Sequence, residues 1–314
     1  MLVVVALGGN ALLRRGQPLD AATQRANVEI AAEAVAELAR DHHVVVTHGN
    51  GPQVGLLALQ NAAYPDVDAY PLDVLDAETE GMVGYLLEQE LGRYLPREQI
   101  ATLLTQVIVD PSDPAFAHPT KFVGPGYEKA EAEALALRRG WTVAPDGDRW
   151  RRIVPSPEPK AIVEVPVIRL LVSHEVTTIC AGGGGIPVVP DGAGGLVGVE
   201  AVIDKDLSSA LLAAELGADA LLLLTDVDAV QDGWGTATPR PIRQATVSEL
   251  RSLHLPAGSM GPKVEAVCRF VEASGAIGAI GALDHASDIL RGQAGTRVIP
   301  DQACSPATSV ELPA

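Results

Sequence analysis

The sequence predicts an α/β protein, a three-layer αβα sandwich around a mainly parallel sheet, with a small protruding subdomain inserted in it. Three observations predict it. Apolar, β-branched runs alternate along the chain with Ala/Glu/Leu segments of helical period. The runs are apolar at successive positions, the pattern of strands buried on both faces of a parallel sheet. Four of these runs then end in a loop of Gly, Asn, Asp or Pro, at the edge where such sheets bind ligands.

In chain order, Leu2–Leu7 reads as a buried first strand, too short for a signal peptide before Gly8 and Gly9 interrupt it. A helix over Ala21–Arg40 follows, then a strand over Val44–Thr47 that ends in His48-Gly49-Asn50-Gly51-Pro52, and a helix over Glu80–Tyr94. The stretch from Pro111 to Pro159 differs, being proline-rich and carrying Trp141 and Trp150. Within it Trp141–Ala144 and Arg149–Val154 flank Pro145-Asp146-Gly147, the pattern of a hairpin. Residues from about 112 to 160 are expected to form the inserted subdomain and to overhang the site. A strand over Thr178–Ala181 leads into Gly182 to Gly185, and a helix over Ser208–Leu216 precedes a strand over Leu221–Thr225 that ends in Asp226-Val227-Asp228. A last helix covers Lys263–Ala273. At 314 residues, one α/β domain with an insertion, or two closely packed lobes, would account for the whole chain.

Composition narrows the function. A formal charge of −17 would repel a phosphate backbone, so a nucleic-acid partner is not expected. No segment reaches the roughly eighteen uninterrupted apolar residues of a membrane span, so no membrane partner is expected either. Cys180, Cys268 and Cys304 cannot all pair with one another and show no CxxC spacing, which fits a reducing cytoplasm and indicates no zinc site. The histidines show neither HxxxH nor HExxH spacing, and no G-x-S-x-G elbow or Walker loop is present. Hydrolytic and zinc chemistry therefore rank low, and no metal ligands are assigned. Only five of the 23 basic residues are lysines, namely Lys121, Lys129, Lys160, Lys205 and Lys263, so each lysine invites a reason.

Gly8, Gly9 and Asn10 bring backbone N–H groups close to a ligand with no Cβ in the way, as an anion nest does. In the second loop, Gly49, Asn50 and Gly51 precede Pro52, where a first helical turn would begin and its dipole would face the same anion. The spacing from Gly49 to Gly55 also resembles a dinucleotide-binding turn, so a nicotinamide-dependent oxidoreductase stays open as an alternative. Lys205 stands between Asp204 and Asp206 among apolar neighbours; there it can bear on phosphate oxygens while Asp206 holds the cations in place. Lys263 falls in the first turn of a helix, where a bound phosphate would offset its conflict with the dipole. Lys121, in the insertion, would reach the reacting group from above.

Together these segments resemble the carbamate kinases of the amino acid kinase family. The matching stretches are Ala6–Leu12, Thr47–Gly55, Pro119–Lys121 with Gly124-Pro125, Gly182–Val188, Glu200–Leu207, Leu224–Asp228, Gly258–Ala266 and Gly295-Thr296. The resemblance implies the amino acid kinase fold, a carbamate-binding half over about 1–200, a nucleotide-binding half over about 201–314, and a homodimer. It implies the reaction ATP plus carbamate to ADP plus carbamoyl phosphate, reversibly and with Mg2+, commonly run toward ATP in arginine breakdown. By position, Gly8, Gly9, Asn10, Gly49, Asn50 and Gly51 would surround carbamate. Lys121, Lys205 and Lys263 would act on the transferred group, with Asp206 orienting the lysines. Thr225, Asp226, Val227, Ser259, Met260 and Gly261, with Lys205 and Lys263, would border the nucleotide. Carbamate is already an anion and needs no general base, which agrees with the absence of a catalytic histidine motif. His118, Phe122 and Gly126 stand where relatives often have Asn, Pro and an aromatic residue. A nucleotide sensor without turnover is a further alternative, against which the three motif lysines argue.

Overall fold

A computed structural model of the chain describes residues 1–13, 16–64, 66, 68–236, 238–255 and 260–301, without the side chains of residues 10, 11 and 98. Its centre is an eight-stranded sheet in the order Gln244–Thr246, Thr296–Ile299, Ile277–Ala282, Ala220–Thr225, Leu2–Leu7, His43–His48, Thr177–Ile179, Ile100–Thr102. All neighbouring pairs are parallel except Ile277–Ala282 with Thr296–Ile299.

Why the strands read as continuous apolar runs is visible in their packing. In Leu2–Leu7, Val4 and Ala6 enter one hydrophobic core while Val3, Val5 and Leu7 enter another on the opposite face. Ala220–Thr225 divides in the same way, Leu221 and Leu223 against Leu222 and Leu224. Strand side chains alternate between faces, so only a sheet covered on both sides buries them all. Each such Val or Leu contributes about 1.5–3 kcal/mol when fully buried. Helices Lys205–Leu216 and Met260–Ser274 cover one face through residues such as Leu212 and Phe270. Helices Ala21–Ala39 and Leu72–Leu91 cover the other through Val28, Val35, Val83 and Leu87. The expected three-layer α/β sandwich is the observed fold.

Several boundaries differ from the sequence expectation, each for a local reason. Helix Leu72–Leu91 starts eight residues before Glu80, because Asp76, Thr79 and Glu80 face inward and interrupt the apolar period. Helix Lys205–Leu216 starts before Ser208, since the Asp204 carboxylate accepts hydrogen bonds from the Asp206 and Leu207 N–H groups and caps it. Strand Thr177–Ile179 stops short of Ala181, which turns the chain at φ 48° into the glycines after it.

A three-stranded antiparallel sheet of Lys121–Tyr127, Arg149–Val154 and Thr142–Asp146 packs with helix Lys129–Arg139. Its hairpin turns at Gly147, as the Asp-Gly pair predicts. A second, four-stranded sheet of Leu196–Gly198, Ile186–Pro190, Gln106–Val109 and Pro159–Ile162 was not expected. The strand Lys121–Tyr127 rests on helix Gly51–Ala63 backbone to backbone: a Cβ at Gly55 would lie 2.2 Å from the Cα of Gly124, itself at φ 73°.

Candidate active site

Because Leu2–Leu7, His43–His48 and Ala220–Thr225 run parallel, the loops that leave their carboxyl ends meet on one side of the sheet. They line a cavity of about 480 Å³ together with Gly183, Lys121, the turn Asp204–Asp206 and the start of helix Met260–Ser274.

Its charged centre joins two helices. Lys205, the first residue of its helix, places Nζ 2.6 Å from Asp206 Oδ1, and Lys263 from the neighbouring helix places Nζ 2.9 Å from Asp206 Oδ2. Burial works against charge on the Asp206 carboxyl, yet the two ammonium groups outweigh it and hold the group below the usual carboxylate range. Burial lowers the pKa of Lys205, Asp206 opposes that fall, and Lys263 adds to it. The carboxylate thus holds two cations that would otherwise repel each other. Lys121 arrives from the three-stranded sheet and pairs with Asp204 Oδ2 at 2.7 Å.

The glycine loops work differently from a simple nest. The Gly8 N–H bonds to the Leu224 carbonyl at 2.8 Å and the Gly49 N–H to the Leu7 carbonyl at 3.1 Å, each adding a last rung to the sheet. Those two donors are spent, which corrects the expectation that Gly8 offers its N–H to an anion. What these glycines supply is proximity, for a Cβ on Gly49 would lie 3.2 Å from the Cα of Gly9. Among the described residues, the N–H groups of Gly9 and, in the first turn of helix Gly51–Ala63, of Gly51 and Gln53 make no backbone hydrogen bond, and Pro52 carries no N–H.

Behind Asn50 lies a buried polar wall. Asn50 Nδ2 donates to Asp76 Oδ1 at 3.0 Å and to Thr79 Oγ1 at 2.8 Å. Glu80 accepts from the backbone N–H of Thr105 at 3.0 Å and of Gly182 at 2.7 Å, which pins the glycine turn against the wall. Burial pushes Glu80 up to about 8 despite those two hydrogen bonds, and it pushes Asp76 well above the usual carboxylate range. His48, buried with Nδ1 3.2 Å from the Gly49 carbonyl, is lowered by burial to about 4.

Of the residues singled out in the sequence, Gly8, Gly9, Gly49, Asn50, Gly51, Lys121, Lys205, Asp206, Thr225, Asp226, Val227, Met260 and Lys263 all line this cavity. Gly261 lies between two lining residues, Met260 and Pro262, without lining it. Ser259 and the Asn10 side chain are outside the described residues. Sequence reasoning missed the Asp204 partner of Lys121, although an aspartate ahead of a helix is a capping signal that points to it. It also missed Asp76, Thr79 and Glu80, as well as the lining residues Trp234 and Leu255.

Residues 1–280 match the amino acid kinase family. The chain belongs to that family. Among its relatives, the carbamate kinase of Rhizobium meliloti is 54% identical over 100% of this chain and 97% of its own. The carbamate kinase of Pyrococcus furiosus is 46% identical over 95% and 99%. The solved structure of a carbamate kinase from Giardia lamblia bound to AMP-PNP superposes with a TM-score of 0.87 at 42% identity, covering 96% of this chain and 98% of that one. In this amino acid kinase the Gly49–Gly55 spacing is not a dinucleotide turn, because Gly55 is spent on the contact with Gly124 instead of facing the cavity.

Proposed function

We propose that this amino acid kinase is a carbamate kinase, which interconverts ATP plus carbamate with ADP plus carbamoyl phosphate and works toward ATP in arginine breakdown. The observation that carries the reading is the Lys205–Asp206–Lys263 arrangement facing the glycine loops. Phosphoryl transfer asks for positioning and charge neutralisation more than for proton transfer, and three ammonium groups around one cavity provide the second. The backbone N–H groups of Gly9 and Gly51 would hold the small anion, and Lys205 and Lys263 would offset charge on the equatorial oxygens in transit. Asp206 orients both lysines without reacting. Lys121 would close over the transferred group, with residues of about 112–160 acting as the lid.

Residues of the carboxy-terminal half, Thr225, Asp226, Val227, Met260 and Gly261, with Ser259 outside the described residues, would border the adenine nucleotide, with Trp234 and Leu255 as apolar surface for its base. Among the described residues, no group of three His, Cys, Asp or Glu side chains is arranged to hold a metal. A magnesium ion would therefore enter on the nucleotide phosphates and keep most of its waters. Among the described residues, no helix is long and apolar enough to cross a membrane. Cys180 and Cys268 are free and buried, which supports a reducing, cytoplasmic setting. A homodimer is the expected assembly.

The test is ATP formation from ADP, Mg2+ and carbamoyl phosphate. The wild-type protein is expected to form ATP and Lys205→Ala to form almost none; equal, background rates in both would reject the reading. Sedimentation at micromolar concentration checks the dimer.

A further inference from the structure

We propose that Asn50 selects carbamate by its amino group, through an amide oxygen that Asp76 and Thr79 hold toward the cavity. The inference rests on the carbamate kinase reading above and adds the basis of its substrate choice.

The orientation of the Asn50 amide follows from counting hydrogens. Thr79 Oγ1 donates its single hydrogen to the Asp76 carbonyl at 3.0 Å. Toward Asn50 it can therefore only accept, so the amide atom 2.8 Å away is the nitrogen. The second hydrogen of that nitrogen goes to Asp76 Oδ1 at 3.0 Å. Both N–H groups are consumed in the wall. The Oδ1 of Asn50 has no hydrogen-bond partner among the described residues, and Asn50 lines the cavity although it is only 2% exposed.

Two further features hold the amide in that pose. Asn50 occupies the N-cap position of helix Gly51–Ala63, where an asparagine ordinarily accepts a hydrogen bond from the first turn, yet its side chain makes no capping bond. Gly183, at φ 69°, lies flat on the amide, and a Cβ there would fall 2.1 Å from Nδ2 and 2.6 Å from Oδ1. Behind the amide, Asp76 is 1% exposed and leaves Oδ2 without a hydrogen bond among the described residues. Burial pushes its pKa well above the usual carboxylate range, which disfavours negative charge beside an anionic substrate.

In a cavity lined by ammonium groups, backbone N–H groups and the carboxylates of Asp204, Asp206 and Asp226, the Asn50 Oδ1 is a neutral acceptor beside the glycine loops. Phosphate and carboxylate oxygens have nothing to donate to it. The hydrogen donor in carbamate and in carbamoyl phosphate is the amino group, and acetyl phosphate carries a methyl in its place. A methyl would leave the Asn50 oxygen desolvated and unpaired, and that loss is what discriminates.

The experiment compares kcat/KM for ATP formation from carbamoyl phosphate and from acetyl phosphate, with ADP and Mg2+ constant. Thr79→Val, close in shape, and Asp76→Leu each remove one anchor of the amide nitrogen. Each is expected to lower the carbamoyl-to-acetyl preference by about tenfold or more, acetyl phosphate turnover changing little. Asp76→Asn keeps an acceptor for Nδ2 and is expected to keep the preference. A preference unmoved in Thr79→Val, or equal losses on both substrates, overturns the inference while the carbamate reading stands. A wild-type protein that makes no ATP from carbamoyl phosphate overturns that reading, and the inference with it. Should Asp76→Leu not fold, Thr79→Val alone decides.

Discussion

At the residue scale, the Asp206 carboxylate gives one oxygen to each of two lysines. Asp206→Ala would leave Lys205 and Lys263 buried beside each other without their shared partner. Its kcat is expected to fall by about 10²-fold, comparable to Lys205→Ala or Lys263→Ala, because misaimed cations stabilise little. Steady-state kinetics with carbamoyl phosphate checks this. The buried wall makes a second prediction, about stability. An unfolded Glu80 ionises near 4.5 but the folded one only near 8, so between these values the native state binds more protons and stability falls as pH rises. Asp76, also raised, pulls the same way. His48, lowered from 6.5 to about 4, pulls the opposite way, but only below 6.5. From pH 6.5 to 8 Glu80 is unopposed by His48 and contributes a loss of about 1.4 kcal/mol per pH unit. Thermal midpoints are expected to drop across that window, and Glu80→Gln is expected to flatten the drop.

At the element scale, Asp204 serves two ends at once. One oxygen caps helix Lys205–Leu216, and the other holds Lys121 on the three-stranded sheet. Asp204→Ala is expected to cost about 1 kcal/mol of stability from the cap. It should also raise KM for carbamoyl phosphate several-fold by freeing Lys121, whereas Asp204→Asn should restore most of the cap and less of the KM. Chemical denaturation and kinetics on the same variants separate the two effects. Elements of this kind were partly legible in the sequence. Lys205, Lys263 and the glycine loops stood out because lysine is rare here and glycine marks strand ends. Helix Leu72–Leu91 was cut short, because a periodicity reading treats Asp76, Thr79 and Glu80 as a solvated face when they are buried under Asn50.

At the scale of the whole molecule, the main sheet was legible because a strand buried on both faces leaves an uninterrupted apolar signature, as Leu2–Leu7 does. The four-stranded sheet was not, since strands of three to five residues with prolines at Pro159, Pro187 and Pro190 leave too little pattern to separate from loop. The spending of the Gly8 and Gly49 N–H groups on the sheet was equally hidden, because it depends on register between strands distant in the chain.

The contact of Gly55 with Gly124 joins the Lys121 strand to the helix whose first turn faces the cavity, and it contains no side-chain atom. Truncation to alanine, the usual way to survey which residues count, cannot remove anything there and would pass it over. Only the opposite operation registers it: in Gly55→Ala a single added methyl acts as a wedge between the two pieces. That variant is expected to keep its fold by circular dichroism while kcat/KM drops by more than tenfold, so a survey that adds atoms would chart a seam that one removing them leaves blank.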